Sequence, residues 1–275
     1  MNPISTAILR FFFLFTFLPA TLTSMDELWS ARHRGLSGVR CAMVADPVSI
    51  AVNPSGMAFL ESIGVSVSFT PGMSGVPELK THTILGGVPL SIGGIGIGVR
   101  RFGFDLYRET SLLAGGGIKI TDEMALGVSS EFRRYIIQGY GAQTVVLLNF
   151  GATRKFHDFL AVSGSIQNAL NATLGKKPER IPRVISLGIV VTAAPELLGT
   201  CEVEKSTRDP AFVKAGLEFR PLANVALRAG FSTDPLTWSV GCSVSAGFIA
   251  FEYGGTNHNI LGWTHQLELA FRWQK

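Results

Sequence analysis

From residue 63 to the end of the chain, apolar side chains recur at every second position in stretches of about ten residues, each followed by a turn. Val225-Ala226-Leu227-Arg228-Ala229-Gly230-Phe231-Ser232 shows the pattern, and so does His265-Gln266-Leu267-Glu268-Leu269-Ala270-Phe271-Arg272-Trp273. A period of two means a strand whose faces meet two different environments. The pattern predicts about fourteen strands, over 63–69, 79–90, 92–103, 108–120, 123–136, 142–154, 159–168, 182–193, 196–204, 211–220, 223–232, 237–246, 247–254 and 263–274. Their connections alternate in length. Thr121-Asp122, His157-Asp158, Pro221-Leu222 and the junction at Ala246-Gly247 are tight, whereas 71–78, 169–181, 205–210 and 254–262 are longer. An even strand count with a short-long rhythm is the habit of membrane barrels with short periplasmic turns. It places both ends of the barrel on the periplasmic side.

The faces sharpen this. Over 211–220, Val213, Ala215, Leu217 and Phe219 oppose Lys214, Gly216, Glu218 and Arg220. Over 237–246, Trp238, Val240, Cys242 and Val244 oppose Ser239, Gly241, Ser243 and Ser245. Gly94, Gly96 and Gly98 oppose Ile95, Ile97 and Val99. A soluble sandwich has the same period, but its wet face would be richer in Lys, Glu and Thr and its edges guarded by charge. Small residues suit the curved interior of a barrel. The expected fold is an all-β transmembrane antiparallel barrel of about fourteen strands.

Composition agrees. Hydrophobic residues make up 47% of the 275 and charged residues only 16%, against about 25% charged in a soluble domain. Mean hydropathy is +0.32, yet no apolar run after the N-terminal region approaches the ~20 residues of a spanning helix. A closed barrel is the other way across a bilayer. Arg10, then Phe11-Phe12-Phe13-Leu14-Phe15-Thr16-Phe17-Leu18, then small residues to Ser24 have the order of a secretory signal peptide, cleaved between about Ala20 and Met25. The expected organisation is a signal over 1–24, an N-terminal segment packed in or under the barrel over 25–62, and the barrel over 63–275, in a bacterial outer membrane. Aromatic residues near strand ends, Tyr107, Tyr135, Trp238, Trp263 and Trp273 among them, fit interfacial belts.

The 25–62 segment is the least strand-like. Asp46 and Ser49 are placed to cap a short helical turn running to Val52. Asn53-Pro54-Ser55-Gly56 fits a rigid turn, with Asn bonding to nearby backbone, Pro fixing φ and Gly allowing a positive φ. It either holds the segment across the lumen as a plug or leads into the first strand. On predicted inward positions lie Glu131, Arg133, Lys214, Glu218, Arg220, Arg228, Glu252, Glu268 and Arg272, of both signs. Either they pair across the lumen or they line a narrow polar path. Pairing is the preferred reading, because an unpaired interior charge is costly.

Catalytic chemistry is not signalled. There is no nucleophile elbow, phosphate loop, His-Glu-x-x-His or Cys-x-x-Cys. The five histidines, His33, His82, His157, His258 and His265, do not cluster, so neither a metal nor a cofactor is expected. Three cysteines, an odd number, fit packing residues better than a disulfide framework. The net charge of +4 lies in doublets such as Arg100-Arg101 and Lys176-Lys177, not in a stripe for nucleic acid.

Ala45-Asp46-Pro47-Val48-Ser49-Ile50-Ala51-Val52-Asn53-Pro54-Ser55-Gly56-Met57-Ala58 resembles the A-D-D-A-S-A-x-x-x-N-P-A-G-L-A stretch of a barrel superfamily. That superfamily holds the FadL-like long-chain fatty-acid transporters and the PorV/PorQ-type proteins of type IX secretion. The C-terminal region, with Arg228-Ala229-Gly230-Phe231-Ser232, Phe251-Glu252-Tyr253 and Leu261-Gly262-Trp263-Thr264-His265, most resembles the PorV/PorQ group. The resemblance implies a non-enzymatic structural or docking component for protein secretion or surface attachment. It also implies, as partners, outer-membrane lipid, secretion-system proteins and the barrel-assembly machinery, whose aromatic C-terminal signal Phe271 and Trp273 resemble. The alternative it implies is a passive channel for hydrophobic compounds, with a hydrophobic small molecule as partner. The outside loops are short, without the long hydrophobic loop that captures fatty acids in the transporter branch.

Overall fold

The computed structural model describes residues 28–174 and 179–273. The signal peptide expected over 1–24 lies outside them, as do Lys176-Lys177 and Gln274-Lys275. Fourteen strands form one closed antiparallel barrel: β1 (Ile63–Thr70), β2 (Thr81–Leu90), β3 (Gly93–Gly103), β4 (Tyr107–Lys119), β5 (Met124–Ile137), β6 (Gly141–Phe156), β7 (Leu160–Gln167), β10 (Val184–Ala194), β11 (Leu197–Ser206), β12 (Phe212–Leu222), β13 (Val225–Thr233), β14 (Leu236–Ala246), β15 (Ile249–His258) and β16 (Gly262–Trp273). Each strand pairs with its sequence neighbour, and β1 pairs with β16 from Ile63↔Trp273 to Phe69↔Leu267. Closure leaves the sheet no edge, so the wall satisfies its own backbone polar groups, as a span through hydrocarbon requires.

All fourteen predicted strands are present, with some shifted ends. The turn expected at Pro221-Leu222 falls at Ala223-Asn224, because β12 continues through Leu222. The connection expected over 254–262 shrinks to 259–261, because β15 keeps pairing with β16 as far as His258↔Gly262. The connection over 169–181 carries a two-residue hairpin, β8 (Thr173–Leu174) with β9 (Glu179–Arg180), which alternation does not reveal.

The wall separates two solvents. Ile95, Ile97 and Val99 of β3 face out and are 52%, 69% and 43% exposed, while Gly94, Gly96 and Gly98 face in and are buried. Inward positions elsewhere hold Ser66, Ser68, Ser111, Ser129, Asn149, Ser163 and Ser186. The core of the molecule therefore lies inside the barrel, and the N-terminal segment makes it. Trp29, Leu36, Val39, Met43, Ile50, Val52 and Met57 are buried there and form one cluster with Leu85 of β2 and Leu113 of β4.

Candidate functional site

The lumenal segment is built from three short pieces. Helix α1 (Ala31–Gly35) is capped by Ser30, whose hydroxyl accepts from the His33 N–H at 3.1 Å. Helix α2 (Ser49–Val52) has Val48 at its N-cap and no side-chain cap, so Asp46 and Ser49 do not cap it as expected; they fix the turn before it, Asp46 Oδ1 accepting from Val48 N at 3.0 Å and the Ser49 hydroxyl donating to the carbonyls of Asp46 and Met43. A 3-10 helix follows over Pro54–Phe59, with Pro54 at its first position. Helix α1 was not predicted; five residues are too few to show a helical period.

Asn53, Pro54, Ser55 and Gly56 lie inside the barrel against β4, β5 and β6. The Ser55 hydroxyl donates to Asn53 Oδ1 at 2.7 Å and lies 2.8 Å from the Thr153 hydroxyl of β6. Asn53 thus binds a side chain rather than nearby backbone. Gly56 does not take the positive φ expected of it. It is small because its backbone is crowded: a Cβ there would stand 2.6 Å from the Met43 carbonyl oxygen and from Ser49 Oγ.

The same crowding explains several glycines of the wall. A Cβ on Gly94 would lie 2.3 Å from the Met57 carbonyl oxygen, on Gly151 2.0 Å from Asn53 Oδ1, and on Gly254 2.3 Å from the Ala31 carbonyl oxygen. Curvature alone was the expected reason for small inward residues. A second reason is the close approach of the lumenal segment, by its backbone at Gly94, Gly117, Gly127 and Gly254 and by a side chain at Gly151.

On the β11–β16 side the contact is ionic. Glu218 of β12 binds three arginines: Arg32 of α1 at 2.9 Å, Arg228 of β13 at 2.7 Å and Arg220 at 2.6 Å. Arg228 also reaches Glu252 of β15 at 3.1 Å. Arg272 lies 3.5 Å from both Glu252 and Asp46 of the lumenal segment. Glu268 of β16 accepts from the Ala31 N–H at 2.6 Å. Lys214 donates to Glu204 at 3.1 Å, and Arg40 binds the same carboxylate at 3.0 Å. Glu131 and Arg133 pair with each other on β5 at 2.7 Å. Of the nine predicted lumenal charges, seven are buried, while Arg220 and Arg272 are half-exposed at the short-turn rim.

Sequence reasoning passed over Arg32, Arg40, Glu202 and Glu204. Glu202 accepts the backbone N–H groups of Arg40 and Cys41 at 2.9 and 2.8 Å. The two glutamates share the inward parity of Thr200 and Ser206, so the strand pattern carried that signal. Arg32 and Arg40 had none, since their partners lie far along the chain. His33 is buried beside this group, and burial, with Arg40 and Lys214 next, holds its imidazole well below the usual range.

Beside the lumenal segment is a cavity of about 1260 Å³ that opens at the short-turn rim. Leu160, Ala161, Val190 and Leu198 give it apolar surface among Lys155, His157, Asp158 and Thr192, and Arg32, Arg228 and Glu252 also line it. The closed barrel has solved counterparts. The chain has the fold of outer-membrane channels. The CymD monoaromatic hydrocarbon channel matches at a TM-score of 0.66 and 10% identity, over 90% of this chain and 99% of that one. The Ralstonia pickettii toluene transporter TbuX matches at 0.66 and 11%, over 90% and 99%. A Pseudomonas aeruginosa FadL homologue matches at 0.61 and 12%, over 89% and 98%. The barrel wall alone spans 63–273, about three-quarters of the chain, so alignments of this extent reach into the lumenal segment. No protein-family profile matches the chain, and no curated protein matches it in sequence.

Proposed function

We propose that the protein is a passive outer-membrane channel for small hydrophobic compounds, gated by its N-terminal segment. The reading is supported by the shared fold, which extends past the wall into the lumenal segment. The observation that carries it is the rim cavity, whose Leu160, Ala161, Val190 and Leu198 offer apolar surface beside the lumenal segment. Passage requires displacement of that segment, which fills the lumen at the level of the glycine contacts. The chain reaches the membrane through its N-terminal signal and the barrel-assembly machinery.

The test is uptake of a labelled monoaromatic hydrocarbon by cells with and without the gene. Slower uptake in the deletion strain, restored by complementation, is expected; equal uptake sinks the reading.

A second reading, a PorV/PorQ-like docking component for secreted proteins, is favoured by one observation. The lumen is occupied and its charges are paired, an arrangement suited to a rigid scaffold. It requires recovery of secretion-system or envelope proteins with the tagged barrel and a secretion defect in the deletion strain.

A further inference from the structure

The outer wall carries a cationic row at a single height. Register aligns His82 of β2 with Arg101 of β3, Arg101 with Thr110 of β4, Thr110 with Arg134 of β5, and Arg134 with Thr144 of β6. Arg101 and Arg134 both face outward and are exposed. Among the described residues neither has an ion-pair partner, whereas Arg133, next in sequence to Arg134, faces inward and is paired with Glu131.

The row beneath is wholly apolar. Ile84, Val99, Leu112, Phe132 and Val146 occupy the next outward positions on the same five strands and are 43–52% exposed. Two residues along a strand is about 7 Å, and strands lie about 5 Å apart. The two arginines therefore stand about 10 Å apart, one step above the surface that meets hydrocarbon. This is the long-loop rim, since β3 ends and β4 begins there at Gly103 and Tyr107, opposite the short turns. In an outer membrane that rim meets the outer leaflet.

Other charges nearby do not cancel the row. Lys80 precedes His82 on β2's lead-in and is exposed, and Arg108 lies one step above Thr110. The nearby acids are Asp105, 4.0 Å from Arg108 and fully exposed, the loop residue Glu78, and Glu109, which precedes Thr110 on the inward parity of β4 and accepts from the Tyr107 hydroxyl. Arginines at such a height extend their guanidinium groups into the headgroup layer, where a phosphate can accept two parallel N–H bonds.

We propose that Arg101 and Arg134, with Thr110 between them, form a binding site for the phosphate of an anionic outer-leaflet lipid. The site rests on the outer-membrane reading but not on what passes through the lumen. It fixes the height and rotation of the β2–β6 wall in the leaflet.

The full-length folded protein is purified in neutral detergent and titrated with bisphosphorylated lipid A, its dephosphorylated form as control, with binding read by native mass spectrometry. Arg101→Gln/Arg134→Gln is expected to weaken phosphorylated-lipid binding on the order of thirtyfold, about fivefold for each charge. Arg101→Lys/Arg134→Lys, which keeps both charges but loses the paired N–H donors, should lose less affinity than the glutamine variant. Arg154→Gln, an outward arginine at the short-turn rim, should leave it unchanged. Equal binding of the two lipid forms overturns the site, as does equal loss in the lysine and glutamine variants or in Arg154→Gln. Fractionation of cells is run alongside: a wild-type chain absent from the outer membrane would sink the location itself, a separate outcome from a folded barrel that ignores phosphate.

Discussion

Arg32 of helix α1 and Glu218 of β12 meet at 2.9 Å across 186 residues of chain. Both are buried or nearly so, and Glu218 serves Arg228 and Arg220 as well. One carboxylate thus ties the lumenal segment to the wall and two wall strands to each other.

Removing that carboxylate leaves buried guanidinium groups short of a partner. Glu218→Gln is expected to destabilise the folded barrel by about 3 kcal/mol, the usual scale for breaking a buried pair from one side. Urea titration in micelles, followed by tryptophan fluorescence, measures it. A loss under ~1 kcal/mol would mean that Asp46 and Glu252 carry Arg32 and Arg228 unaided.

The glycine contacts permit a sharper contrast. Gly254→Ala would place a methyl 2.3 Å from the Ala31 carbonyl oxygen, whereas Gly199→Ala meets nothing within 4 Å. The first is expected to cost about 1–3 kcal/mol by overpacking, and the second to be nearly neutral. Thermal melts of the two variants side by side decide it; similar melting points would refute backbone approach as the reason for Gly254.

Cys41 is a built-in reporter of the lumenal segment. It is buried against Gly188 and Thr200, and burial, then the nearby Glu202 carboxylate, raises its thiol well above the ordinary range. In a Cys201→Ser/Cys242→Ser background, a charged maleimide is expected to leave Cys41 unmodified in the native barrel and to react when urea displaces the segment. Adding Glu218→Gln should speed native-state labelling. Fast labelling of the native parent would show a segment that is already mobile.

Acid should loosen the same region. His33 has a depressed pKa when folded, so as pH falls the unfolded chain takes up its proton first, near pH 6.5. The contribution of His33 to stability is therefore complete above about pH 6.5 and lost progressively below it. The urea midpoint should drop between pH 8 and pH 5, and His33→Gln should lessen that drop. An unchanged pH dependence in the variant would assign the effect to carboxylates alone.

The wall was legible because each strand reports separately on lipid and lumen. Ile95 and Ile97 against Gly94 and Gly96 need no partner to be read. The lumenal charges on β12, β13, β15 and β16 were legible by the same parity. Glu202 and Glu204 followed that rule and were overlooked. What alternation does not encode is who stands opposite. Arg32 and Arg40 look like surface charges until their carboxylates arrive from β12 and β11. The wall glycines announce a small face without naming the backbone that presses on it, Met57 at Gly94 and Ala31 at Gly254.

The pairing of β1 with β16 has a consequence for how the protein comes to exist. The segment that fills the lumen is made first, and Leu267 to Trp273, which seal the sheet against Phe69 to Ile63, are made last. Contents precede container. The arc of strands can gather around its filling before the final seam forms; a chain that seals early, with its first residues outside, must thread them in through an open rim past the wall they would otherwise pack against.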